Sequence, residues 1–274
     1  TSANCTYNII ATVAANTTSY SDSSLEAGTT YFYKLKTING NGASDFGPGQ
    51  FSGVQAKWTF NNNYNDVSGN GRTLSANNSP TFNTDRQEGS HSVDLNGSNE
   101  DITVNSSAGD YLRGGYNQKT VAFWMKADNT SNRGVFDFGG ADDGLAMRLN
   151  SGNLIAGIAS NNTRRSIQTP YNSTGWNHIA LVYNVNTLRL YVNGEEKAAN
   201  TSLGFNSVGT TSGASMIGDD NGDNALNTSF GQFDGRLDNF MVFSSALTPQ
   251  QIQSTMTDTY GMCTATTLPL PAVP

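Results

Sequence analysis

A chain of 274 residues can build one large sandwich with an ample core and still carry part of a second module. Charged residues are only 14% of it, glycines number 29 and the net charge is -7, so helical bundles, disordered tails and a basic nucleic-acid footprint are excluded. A neutral glycan, a cation or a protein partner fits that balance better.

No apolar run approaches the roughly 18 residues of a membrane span, and no signal-peptide pattern opens the sequence. The abundance of Asn, Ser and Thr beside tandem β patterns points to an extracellular setting, secreted or at a cell surface, with neighbouring domains in a longer chain. Residues 1–50 read apart from the rest. Tyr7 to Val13 and Tyr31 to Thr37 alternate as strands, and Asn39-Gly40-Asn41-Gly42 is a tight turn. So few strands cannot bury a core alone, so this segment packs on a neighbour or orders poorly. Gly47-Pro48-Gly49 marks a boundary. The expected division is a segment over 1–50, a main domain over 51–258 and a proline-containing linker over 259–274. Cys5 and Cys263 either pair with each other, pair elsewhere in a longer protein, or stay reduced.

Beyond the boundary, short alternating runs predict strands at Val54–Phe60, Ser92–Asn96, Asp101–Val104, Thr120–Ala127, Gly134–Phe138, Leu145–Leu149, Leu154–Ala159, Asn177–Tyr183, Leu188–Val192, Ala214–Ile217 and Phe233–Phe243. The expected fold class is therefore all-β, a two-sheet antiparallel jelly-roll sandwich. The clearest signal is Gly175 to Gly194. Ile179, Leu181 and Tyr183 form one apolar face, Leu188, Leu190 and Val192 another, and Asn193-Gly194 closes the second run with a turn. One helix is expected, Pro249 to Met256, with Thr248 as N-cap, proline at its first position and Gln251 completing a capping box.

Catalytic chemistry finds little support. A retaining glycosidase needs two carboxyl groups about 5–5.5 Å apart, and no strand carries clustered acids. Glu195 and Glu196 sit where a solvated turn is expected. Of the two histidines, His178 shares strand parity with Ala180 and Val182 and reads as structural. Asp238 shares parity with Phe240 and Val242, which predicts that it points inward. A buried carboxylate is paired or binds a cation. Asp66, Asn70 and Asp238 with loop carbonyls could therefore hold calcium, or Asp66 and Asp238 could cap backbone amides. The acidic loop Asp219 to Asn224 lacks the distal glutamate of an EF-hand, and reads as a solvated turn or a second calcium site. Trp58, Trp124 and Trp176 are expected in the core. That leaves Tyr111, Tyr116 and Tyr171, with Arg148, Arg164 and Arg165, as candidate contacts to a glycan or cell-surface ligand.

The hairpin from Gly175 to Gly194 resembles the central hairpin of laminin-G-like, concanavalin-A-like lectin-glucanase domains. So do Trp58-Thr59-Phe60 with Asp66-Val67-Ser68-Gly69-Asn70-Gly71, the strand at His91 to Gly97, the Trp strand at Thr120 to Lys126, and Phe233 to Phe240 followed by Ala246-Leu247-Thr248. Their order and spacing extend the resemblance over most of residues 54–256. The Leu25-to-Tyr31 corner, its following strand and the Asn-Gly tail are similar to the second half of a fibronectin type III domain. The resemblance implies a non-catalytic carbohydrate- or surface-binding module of a secreted bacterial multidomain protein, with structural calcium allowed. The alternatives are a spacer or protein–protein adhesion module, and an accessory fragment of a polysaccharide-degrading enzyme.

Overall fold

Side chains that alternate along a strand sort to opposite faces of a sheet, and here that sorting makes two stacked sheets. The computed structural model describes residues 53–105, 110–171, 175–220 and 222–256, with positions 10–14, 17, 19–23, 25, 38–39 and 42–43 before them. The chain divides into two units, one from Phe51 to Thr257, the other Thr1–Gln50 with Asp258–Pro274. In the second, β1 (Ile38–Asn39) pairs with β2 (Gly42–Ala43) across the expected turn. Cys5, Cys263 and most of the fibronectin-like segment lie outside the described residues.

The unit from Phe51 to Thr257 carries β3 (Val54–Trp58), β4 (Ser75–Asn77), β5 (Thr81–Asn83), β6 (Ser92–Asn96), β7 (Asp101–Thr103) and β8 (Gln118–Ala127). It continues with β9 (Arg133–Gly139), β10 (Gly144–Asn150), β11 (Asn153–Ser160), β12 (Thr163–Pro170), β13 (Asn177–Asn184) and β14 (Leu188–Val192). It ends with β15 (Glu195–Asn200), β16 (Ser215–Ile217), β17 (Asp234–Phe243) and the helix α1 (Pro249–Thr255). One sheet of seven strands runs β12-β11-β10-β9-β16-β7-β4. The other, of eight, runs β15-β14-β13-β8-β17-β6-β5, with β3 also paired to β17. Every ladder is antiparallel.

The core lies between the sheets. Phe123 of β8 stacks on Phe240 of β17 at 4.7 Å between ring centres, and Phe136 of β9 meets both edge-on. Each such fully buried side chain contributes about 1.5–3 kcal/mol. The outer faces are partly covered. On the eight-stranded sheet, α1 buries Ile252 and Thr255, and the Thr255 hydroxyl lies 3.0 Å from His178 Nε2. The expected capping box is formed, Thr248 and Gln251 each satisfying the other's backbone amide. On the seven-stranded sheet, Ala225 and Leu226 pack over Ala146 and Ala159. Gly157 leaves the room: a Cβ there would come within 2.5 Å of a Leu226 methyl.

Four strands were not expected, β4, β5, β12 and β15, and they lie at the ends of the two sheets. β4 and β5 are three residues each and bury none of them, β12 buries only Ile167 and Thr169, and β15 buries no residue. As edge strands they carry polar side chains that satisfy solvent and leave no apolar alternation. Glu195 and Glu196 thus begin a strand rather than occupy a turn, entered through Asn193 and Gly194, both at positive φ.

The parity expected along β17 also fails. Asn239 adopts φ 49 and the register against β8 slips between Asp238 and Met241. This bulge sets Asp238 opposite Trp124, on the outer face, while Phe240 points into the core. Asp238 is fully buried, but beneath the segment around residues 85–89 rather than between the sheets.

Candidate functional site

The residues singled out from sequence do not converge. Tyr171 is 7% exposed and its hydroxyl donates to the Met125 carbonyl, so it belongs to the core instead of to a ligand platform. Tyr111 and Tyr116 pack against the same core; the Arg72 guanidinium stands 3.7 Å over the Tyr111 ring and the Lys119 ammonium 3.6 Å over Tyr116. Arg148 and Arg164 share the outer face of the seven-stranded sheet, on different cross-strand rows beside Ile155 and Ala159. Arg148 donates to the Asn132 side chain, and Arg164 lies 3.6 Å from Asp142. Arg165, beside Ile158, turns to the other face.

The expected calcium ligands meet hydrogen-bond donors instead. Asp66 Oδ1 accepts from the Lys57 and Ser68 amides, and Oδ2 from the Ser68 hydroxyl and the Arg72 amide, at 2.9–3.0 Å. Asn70 directs its Nδ2 hydrogens to the carbonyls of Val54 and Gln55. Asp238 Oδ2 accepts the amides of Gln87 and Glu88. Carboxylate lone pairs aimed at N–H groups, and an amide presenting hydrogens, are the wrong donor set for a hard cation. Among the described residues there is no group of three or more His, Cys, Asp or Glu that could hold a metal ion.

A different cluster lies on the outer face of the eight-stranded sheet. Lys126 of β8 faces Arg236 of β17, which faces Asp94 of β6. Asn177 pairs with Met125, so Trp176, one residue earlier, comes level with Lys126. The four form one row across four strand positions. Asp85 binds the row from above: its Oδ1 accepts the Trp176 indole N–H at 3.0 Å and its Oδ2 lies 2.7 Å from the Lys126 ammonium. Arg236 reaches Asp94 at 3.2 Å, Asp85 at 3.5 Å and Asp128 at 3.7 Å. Hydrogen bonds from Lys126 and Trp176 hold the Asp85 carboxyl below its ordinary range, against a smaller opposing effect of burial. These groups remain partly open to solvent, Lys126 28% and Asp85 41%.

Trp176 is half-buried, whereas Trp58 and Trp124 are 0% and 9% exposed. Expecting all three in the core therefore fails for Trp176. The signal was available: Trp176 has the parity of His178 and Ala180, opposite to that of the core residues Ile179 and Leu181. Farther along the same face, a recess of about 270 Å³ lies between Arg189 and Leu247. There both carboxylate oxygens of Glu196 already occupy Arg189. Among the described carboxyls, Asp219 is pushed up, by burial and by Asp101 and Asp220, despite hydrogen bonds from the Asp220 amide and Gln232.

The Laminin_G_3 family, described as the concanavalin A-like lectin/glucanases superfamily, matches residues 96–253, more than half of the chain. No curated protein matches it. Among solved structures, the chain is similar to domain 4 of the GH43 extracellular arabinanase of Geobacillus stearothermophilus, in complex with arabinotriose. The identity is 23% and the TM-score 0.59, over 75% of this chain and 98% of that one. The binding domain of Paraclostridial Mosquitocidal Protein 1 is 19% identical with a TM-score of 0.59, over 74% of this chain and 52% of that one. The Botulinum neurotoxin serotype G binding domain is 17% identical with a TM-score of 0.56, over 74% of this chain and 50% of that one. The chain thus spans about half the length of the two toxin domains, and at these identities the likeness is one of fold. No helix among the described residues is long and apolar enough to cross a membrane. With two antiparallel sheets, the short helix after β17 and that family match in the same region, the chain belongs to the concanavalin A-like lectin/glucanase superfamily through a Laminin_G_3 domain.

Proposed function

We propose that the domain is a non-catalytic carbohydrate-binding module of an extracellular protein, taking its ligand on the row Trp176–Lys126–Arg236–Asp94. The observation that carries this reading is Trp176, partly exposed where Trp58 and Trp124 are buried, level with a line of fixed polar groups. An aromatic plane stacks on the apolar face of a sugar ring, while carboxylates and guanidinium groups bond its hydroxyls. Because Asp85 already ties these side chains together, little rotamer freedom remains to be lost on binding. Membership of a lectin/glucanase superfamily supports the reading, as does a similar arabinanase domain solved with arabinotriose. A general acid would need a carboxyl that holds its proton near neutral pH; Asp85 is shifted the other way.

The test is a glycan array with the full chain, followed by calorimetry on any hit. Trp176→Ala is expected to weaken binding about tenfold or more, the equivalent of one lost aromatic contact, while a cooperative thermal transition shows that the variant is still folded at the assay temperature. Unchanged affinity in that variant moves the site elsewhere. Failure of every glycan to bind defeats the carbohydrate reading.

A further inference from the structure

The charges and spacing of the row bear on which glycan it would take, an inference that rests on the carbohydrate reading above. Two cations, Lys126 and Arg236, stand among three carboxylates, Asp85, Asp94 and Asp128, and both cations are already in ion pairs. The cluster therefore carries a local excess of one negative charge, in a chain whose net charge is -7. A uronate, sulfate or sialate would have to displace an internal carboxylate and would be repelled by the remainder. Hydroxyl groups meet no such barrier, since ionised carboxylates accept from O–H and the unused N–H groups of Lys126 and Arg236 can donate.

The spacing limits length. From Trp176 to Asp94 the row crosses from β13 through β8 and β17 to β6. With adjacent strands about 4.8 Å apart, three steps cover about 14 Å. A sugar ring in an extended chain advances roughly 5 Å, near one strand spacing, so the row matches about three consecutive rings lying across the strands. On the same face, α1 closes the region around His178. A chain running along the strands toward that end would meet the helix, whereas the cross-strand path stays clear of it.

We infer that the Trp176 row accepts an uncharged, linear glycan of about three rings, laid across the strands, and excludes anionic polysaccharides. The experiment is calorimetry on the full chain with neutral arabino-, xylo- and cello-oligosaccharides of increasing length, and with polygalacturonate and chondroitin sulfate as charged probes. Affinity for the best neutral series is expected to rise up to about three or four rings and then level. It should change less than about twofold between 0.02 and 0.5 M NaCl, because an uncharged ligand offers nothing to screen. Tight binding of either charged polymer, falling tenfold or more over that salt range, overturns the exclusion of anions. Saturation at a single ring overturns the cross-strand placement. Either result leaves carbohydrate binding standing, whereas no binding by any neutral or charged glycan removes the reading beneath it.

Discussion

The loop after β3 offers the sharpest test of how this domain is held together. Asp66 accepts four hydrogen bonds, three from backbone amides and one from a hydroxyl, and forms an isolated bridge to Trp58. Hydrogen bonds to a charged group contribute about 1.5–3 kcal/mol each, but water can replace part of that in a half-exposed loop, so Asp66→Ala should cost about 3–5 kcal/mol. For a domain of this size that lowers the melting temperature by about 6–20 °C. Asp66→Asn, which keeps one acceptor oxygen, should cost about half as much. Burial pushes the Asp66 carboxyl up, yet the Lys57, Arg72 and Ser68 donors outweigh it and hold it below its ordinary value. A carboxyl lowered by folding stabilises above its unfolded value and loses that contribution as pH falls through the folded one. The gap between parent and Asp66→Asn should therefore be full at pH 7 and shrink below about pH 4. Thermal melts at several pH values read both effects. An Asp66→Ala variant within about 1 kcal/mol of the parent, or a gap that does not shrink in acid, would refute the reasoning. Calcium should leave the parent's melting temperature where chelator leaves it, since amide hydrogens already occupy these oxygens; a calcium-dependent rise abolished by Asp66→Ala would overturn the capping assignment.

Lys119 lies on the inner face, where burial drives its ammonium down to about 7 against the opposing charge of Asp110, and it donates to the Leu112 carbonyl at 3.0 Å. Its unfolded value is higher, so the unfolded chain binds more protons between those values and stability rises with pH across them. Lys119→Met should then gain about 2–4 kcal/mol at pH 7 and nothing near pH 10 in urea unfolding; no gain at pH 7 sinks the argument. His178, lowered to about 3 by burial, makes stability fall as pH drops from about 6.5, by up to about 1.4 kcal/mol per unit. His178→Gln should flatten that slope, and equal slopes would count against a buried neutral imidazole. Gly235 has φ 138, and a Cβ would run into the Lys126 carbonyl and stand 2.9 Å from the Asp128 amide. Gly235→Ala should cost more than about 3 kcal/mol, whereas Gly71→Ala, at φ 71 with no neighbour within 4 Å, should cost about 1 kcal/mol by melting. Similar losses at both glycines would show that the close approach at β17 is soft.

Much of the sandwich was legible because its central strands bury alternate side chains. The pairing of Ile179 with Val192 and Leu181 with Leu190 follows the two apolar runs read from sequence, and the capping residues of α1 sit where their chemistry demands. What escaped has two causes. Edge strands such as β15, with Glu195, Glu196 and Lys197 outside, satisfy water rather than a core, so alternation never arises. Parity also assumes an unbroken ladder, and one extra residue at Asn239 sends Asp238 to the opposite face. The candidate site was harder because it is a property of register. Lys126, Arg236 and Asp94 are far apart in sequence, ordinary singly, and meaningful only when three strands align them. The tyrosines were mistaken for surface groups because loop position alone does not report depth.

The placement of β17 has a consequence for how the chain is made. The last strand in sequence is bonded to β8, β6 and β3 at once, so the eight-stranded sheet stays in three pieces until residues near 240 have emerged from the ribosome. Nearly every partner contact it makes spans more than a hundred residues, a topology that closes late and slowly. A nascent chain stalled before that point would expose the inward faces of β8 and β6 to solvent and to chaperones, so truncation ahead of β17 should harm solubility far more than loss of an edge strand such as β15.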